Sequence, residues 1–230
     1  MRRIGVLETG RPADALVARH GAYPDMFRTL LGGQGNFAFV TYAIEAGDAV
    51  PEATDCDGWL ITGSRHAVYE DRAWLPPLAG LVRAALSAGI PTVGICFGHQ
   101  LMATALGGRV ERSEKGWGVG LHDYDVLGGT ALPTARLTLP AMHRDQVVAA
   151  PPGARLLATS DFCQFAGFAY GRAGLSLQGH PEFTADYQRD LIAARAGIIP
   201  APTAAAALDS LAAKIPDTAL AASAIARALA

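Results

Sequence analysis

One pattern in the first hundred of the 230 residues restricts this chain more than any other: short apolar runs alternate with longer stretches of helical spacing. Ile4-Gly5-Val6-Leu7 stops at Glu8, and residues 13–31 then place Leu16, Val17, Met26, Phe27 and Leu30 at helical intervals. Residues 37–44 are rich in β-branched and aromatic side chains and predict a second strand. Residues 58–62 predict a third, 74–88 a helix, and 92–95 a fourth strand that runs into Cys96. Strands that are apolar on both faces and separated by helices need a parallel sheet covered on both sides. The expected fold class is therefore α/β, an open, mostly parallel sheet flanked by helices. Half of the residues are hydrophobic and 17% are charged, enough to fill such a core and the wrong balance for a disordered chain.

Beyond about Gly107 the segments shorten. Residues 117–126, 134–139, 145–149, 154–158 and 162–169 are separated by Gly, Pro and Asp, which suits antiparallel strands added to the sheet. Residues 174–178 predict another strand, and 185–199 a helix. The alanine-rich tail, 203–230, reads as helical with a break at Pro216. With no internal repeat and no long linker, the expectation is a single domain over 1–230.

Nineteen basic against twenty-one acidic residues leave a formal charge of −2, which predicts neither a nucleic-acid nor a membrane partner. Cys56, Cys96 and Cys163 form no CxxC pair, so neither a disulfide framework nor a cysteine zinc site is expected. No His and carboxylate pair has metal-ligand spacing, and no cofactor is expected. The start of the chain reads as a strand rather than a signal peptide, which points to a cytoplasmic protein.

The chemistry concentrates in Gly94-Ile95-Cys96-Phe97-Gly98-His99-Gln100. A strand that ends on Cys96 with a helix starting at once would lift the thiol above the sheet edge, and glycines on both sides permit the close approach that such a turn requires. The helix N-terminus would favour negative charge on sulfur, and the Phe97 N–H points toward a developing oxyanion. A nucleophile needs a base, and Gln178-Gly179-His180-Pro181-Glu182 supplies His180 at a strand end with Glu182 two positions on to orient it. Cys56 and Cys163 lack any such setting and read as core residues.

Together, Gly94–Gln100 and Gly179–Glu182 resemble the class I glutamine amidotransferase family and its Cys-His-Glu triad. Within it the chain is similar to the amidotransferase domain of GMP synthase and to free-standing relatives such as plant γ-glutamyl peptidases. Met142-His143-Arg144-Asp145-Gln146-Val147 resembles the His-x-Asp-x-Val segment of that subgroup. The resemblance implies a flavodoxin-like core and a γ-glutamyl amide cleaved through a Cys96 thioester, with His180 shuttling the proton and Glu182 holding it. It also implies an oxyanion hole made by Phe97 and a backbone N–H of the loop at Gly63 and Ser64, where this sequence departs from the family's usual Gly-Gly-Pro. Gln100, His143 and Trp117 fall at positions near the substrate, each also readable as structural, as is His66 beyond the loop.

GMP synthase carries an ATP-using synthetase domain, whereas 47 residues follow Phe183 here and no ATP site is evident. The expectation is a free-standing γ-glutamyl hydrolase acting on a small molecule. A glutaminase subunit feeding ammonia to a synthetase partner and a catalytically silent binding module are the alternatives. The tail would cover a surface that a synthetase domain uses, or serve a dimer or other partner.

Overall fold

A computed structural model describes residues 1–128 and 132–230. The parallel half of the sheet comprises β1 (Arg2–Leu7), β2 (Phe37–Tyr42), β3 (Gly58–Ile61), β4 (Thr92–Ile95) and β11 (Gly174–Leu177), side by side in the order β2-β1-β3-β4-β11. Beyond β11 the sheet continues antiparallel through β10 (Gly167–Tyr170), β9 (Ala154–Thr159), β6 (Gly118–Val126) and β7 (Arg136–His143), giving nine strands in one sheet. The expected α/β sheet with an antiparallel extension is therefore present. A separate pair, β5 (Arg109–Arg112) and β8 (Asp145–Ala149), folds beside it.

The helices cover both faces. The helical spacing over 13–31 resolves into α1 (Asp14–His20) and α2 (Tyr23–Leu31), separated at Gly21, whose φ of 79° ends the first. On the opposite face α3 (Leu75–Ser87) and α4 (Phe97–Ala105) bury Leu78, Val82, Phe97, Leu101 and Met102. α5 (Ala185–Ala194) ends five residues before the predicted limit, and residues 195–199 turn back on themselves through hydrogen bonds onto Arg195 O. The strand expected over 162–169 starts only at Gly167, because 160–166 is a loop in which Ser160 N donates to Cys163 O at 2.9 Å.

The tail forms α6 (Ala201–Ala213) and α7 (Thr218–Leu229), with the break at Lys214–Asp217. Asp217 ties this break to β7, its carboxylate accepting from Thr138 N at 2.8 Å and its own N–H donating to Thr138 O at 2.8 Å. α7 seats Ala221, Ala222, Ile225 and Leu229 in the core beside β4, β11 and α2, so its apolar face is taken up by this chain's own sheet. Among the described residues no helix is long and apolar enough to cross a membrane.

Candidate active site

β4 ends at Ile95 and α4 begins at Phe97, so a single residue, Cys96, makes the turn. Its φ of 53° and ψ of −100° make it the only non-glycine residue with positive φ among the described residues. Side chains rarely adopt that region, and the strain persists only where the surroundings enforce it. Those surroundings are the two glycines. A Cβ on Gly94 would lie 2.5 Å from the Gly98 backbone, and one on Gly98 would lie 2.5 Å from Ile61 O. The helix start is thus pressed against β4 and β3, and the buried thiol sits over the first turn of α4, where the N–H of Phe97 has no partner within the helix.

β11 brings in the second motif. Gly179 passes β7 at a distance that leaves no room for a side chain, since a Cβ there would lie 2.9 Å from that of Leu139. His180 N then donates to Pro140 O at 2.7 Å, fixing the start of the turn. The His180 ring stacks on Phe183 with centroids 4.0 Å apart and planes 8° from parallel, and its Nδ1 lies 2.7 Å from Glu182 Oε1. Both side chains are almost completely buried. Burial opposes charge on the imidazole, but the Glu182 carboxylate, followed by charge and hydrogen bonding at Cys96, outweighs it and pushes His180 up to about 10. With Nδ1 committed to Glu182, Nε2 is the nitrogen left to Cys96.

The loop after β3 closes the arrangement. A Cβ on Gly63 would lie 2.9 Å from His180 Cε1 and 3.8 Å from Cys96 Cβ, so this glycine lies against both. Its carbonyl accepts from Thr62 Oγ1 at 3.0 Å and from Thr9 Oγ1 at 3.4 Å. Thr9 N in turn donates to Thr62 Oγ1 at 3.1 Å, and Thr9 Oγ1 to Thr62 O at 3.0 Å. In a trans peptide the N–H points away from the carbonyl, so this network turns the Ser64 N–H away from the threonines. The pairing of Thr9 with Thr62 is not suggested by the sequence, because the two lie 53 positions apart and meet only where the sheet sets β1 beside β3.

A cavity of about 440 Å³ opens over Cys96 and is lined by Ser64, Phe97, Gln100, Trp117 and His143. Gln100 donates both amide hydrogens, to Asp145 O at 2.9 Å and to Gln178 Oε1 at 3.1 Å, leaving its Oε1 as the free acceptor. His143 is pushed down to about 3, first by burial and then by the neighbouring His122 and His180. Its Nδ1 lies 3.2 Å from Asp145 O, and its Nε2 is buried without a partner against Gly118. Trp117 carries the Arg195 guanidinium 5.8 Å above its ring. His99 lies beneath the elbow, stacked on Phe168 and bonded to Ser176 Oγ at 2.8 Å and Phe165 O at 2.9 Å. His66 is held between Glu45 and Glu70 at 3.1 and 3.0 Å and braces the segment after Ser64. No cluster of His, Cys, Asp and Glu among the described residues suits a metal ion.

Comparison with known proteins identifies the family. The family described as glutamine amidotransferase class-I matches residues 35–197. Gamma-glutamyl peptidase 4 of Arabidopsis thaliana is 31% identical over 184 residues, covering 75% of this chain and 72% of that protein. The glutamine-hydrolysing GMP synthase of Bordetella parapertussis is 31% identical over 205 residues, which is 84% of this chain but 36% of the synthase. A glutamine amidotransferase structure from Methylobacillus flagellatus shares the fold, with a TM-score of 0.75 at 21% identity over 99% of this chain and 91% of that one. By fold, and by a family match over most of its length, the chain belongs to the class I glutamine amidotransferases.

Proposed function

We propose that this protein hydrolyses the γ-glutamyl amide bond of a small γ-glutamyl compound through a thioester on Cys96. The observation that carries the reading is the strained Cys96 at the helix start, set beside a His180 whose Nδ1 is bound to a buried Glu182 at 2.7 Å. In the reaction His180 Nε2 already holds the proton that Cys96 gives up, in line with its raised titration, as sulfur bonds to the γ-carbonyl carbon. The carbonyl oxygen gains negative charge, which the N–H groups of Phe97 and Ser64 would stabilise. The C–N bond then breaks as His180 passes its proton to the departing nitrogen, leaving the thioester. Water, deprotonated by His180, attacks the thioester carbon, and the proton returns to sulfur as glutamate leaves. One amide and one water thus yield glutamate and an amine, with no other reactant. The free Oε1 of Gln100 suits the substrate's α-ammonium group, with Trp117 and the His143 segment forming the wall beside it.

Similarity over about three quarters of both chains to a γ-glutamyl peptidase supports hydrolysis over ammonia delivery. The test is release of amine from γ-glutamyl peptides and of ammonia from glutamine by the purified protein, with Cys96→Ala as the blank. Cys96-dependent turnover on either substrate is the expected result. Absence of turnover together with failure of a glutamine-like chloroketone to label Cys96 overturns the reading in favour of a silent module.

A further inference from the structure

A second cavity, of about 720 Å³, adjoins the one over Cys96, and Arg65, Arg195 and Ile198 line both and form the rim between them. Its walls include Glu8, Arg11 and Tyr23. Tyr23 stacks on Phe183, which stacks on His180, so this cavity lies on the imidazole's side of the site but two rings away from it, and joins the Cys96 cavity over the rim of Arg65, Arg195 and Ile198. The cavity over Cys96 lies instead on the side of Gln100 and Asp145. In the hydrolysis proposed above, the departing nitrogen receives its proton from His180, so the leaving group exits on the imidazole's side. Ammonia would leave this second space unused.

The polar groups there are arranged for something larger. Glu8 directly follows β1 and is only 7% exposed, yet its Oε1 is buried and accepts no hydrogen bond. Such an atom costs stability unless a partner arrives. Arg11 Nη1 lies 3.8 Å from that oxygen, too far for a hydrogen bond and half in solvent. Burial, acting before the opposing pull of Arg11, pushes the Glu8 carboxyl above its usual range, as a site lacking donors would. Arg65 already binds Glu45 at 2.9 Å, so Glu8 is the acceptor and Arg11 the donor still without a hydrogen bond. An acceptor and a cation this close match the two ends of a terminal amino-acid residue, whose amide N–H and carboxylate are separated by a single Cα.

Resting on the hydrolase reading, we infer that the second cavity is a leaving-group subsite for a peptide with a free C-terminal carboxylate. Glu8 accepts the peptide's last N–H and Arg11 binds its carboxylate. The substrate class is accordingly γ-glutamyl peptides rather than glutamine, and a residue beyond the first leaving amino acid contributes to binding.

The experiment measures binding of γ-Glu-Ala-Gly, of its C-terminal amide and of glutamine to the Cys96→Ala protein by calorimetry, beside chloroketone labelling of wild-type Cys96. The tripeptide is expected to bind at least tenfold tighter than the amide or glutamine. Arg11→Ala added to Cys96→Ala should erase the preference for the carboxylate, while Glu8→Gln, which keeps the shape and offers an oxygen without full charge, should weaken the tripeptide several-fold. Equal binding of tripeptide and amide, or an unchanged preference in Arg11→Ala, overturns the subsite. If Cys96 is labelled in that case, the hydrolase reading survives its loss. Arg11-dependent tripeptide binding with an unreactive Cys96 sinks the hydrolase and keeps the pocket, and failure of both measurements removes both.

Discussion

Glu182 has one described partner, His180, and its second oxygen is buried without any. A carboxylate placed so has little to do except hold the ring and offset its charge. Glu182→Gln keeps the volume but removes the charge, so Nδ1 no longer has an anionic acceptor. Turnover is expected to fall by about 10²- to 10⁴-fold, less than for Cys96→Ala. In the same variant the His180 titration, followed by NMR of the ring, should move down from its elevated value, and an unmoved titration would leave Glu182 with a packing role only. Thr62 acts one step further from the chemistry. Thr62→Val keeps the shape but strips the 3.0 Å bond from Gly63 O and orphans the Thr9 N–H. The expected result is a roughly tenfold lower kcat with KM little changed, because a loosened loop presents the Ser64 N–H less well only as oxyanion charge develops. Unfolding stability should drop by about 1–3 kcal/mol for the unpaired buried donor. A loss confined to stability would separate Thr62 from the oxyanion.

At the scale of elements the junction of β4 and α4 holds the nucleophile, and the glycines flanking Cys96 are its weakest points. Gly94→Ala would put a methyl 2.5 Å from the Gly98 backbone, where no side chain can rotate away. The helix must shift, which is expected to cost about 1–3 kcal/mol in denaturant unfolding and to cut turnover by about 10²-fold through misplacement of the thiol. An active, stable Gly94→Ala protein would show that the elbow tolerates displacement. This junction was legible in the sequence because strand, turn and helix are consecutive, and Gly-x-Cys-x-Gly states a local steric requirement. The His180–Glu182 pair was legible for the same reason, two positions apart on one turn. Thr9, Glu8 and Arg11 were not, since they follow β1 and reach the site only when the sheet sets β1 beside β3. β5 was missed because its residues Arg109–Arg112 are mostly exposed and show no run of apolar side chains. The split of 13–31 into two helices escaped because apolar spacing continues across Gly21, while the break depends on that residue's φ.

For the molecule as a whole the site is a buried charge cluster set where the parallel half of the sheet meets its antiparallel extension, and folding carries its electrostatic consequences. His180 sits on β11's exit, Cys96 on β4's, and the two strands are neighbours at the centre of the nine. Any stability they contribute is therefore linked to global unfolding rather than to fraying of an edge. In the unfolded chain His180 titrates near 6.5, and in the fold it is raised to about 10, chiefly by Glu182 and Cys96 acting against burial. The folded state thus holds the proton more tightly, so its contribution is complete below about pH 6.5 and is lost as pH rises toward about 10. Denaturant unfolding of wild type and His180→Gln at intervals of pH checks this. The stability difference between the two proteins should shrink steadily from about pH 6.5 to 10 and stay flat below 6.5. Parallel curves across that interval would mean that His180 is not charged by its neighbours in the fold, and would also remove the ion-pair basis for activating Cys96.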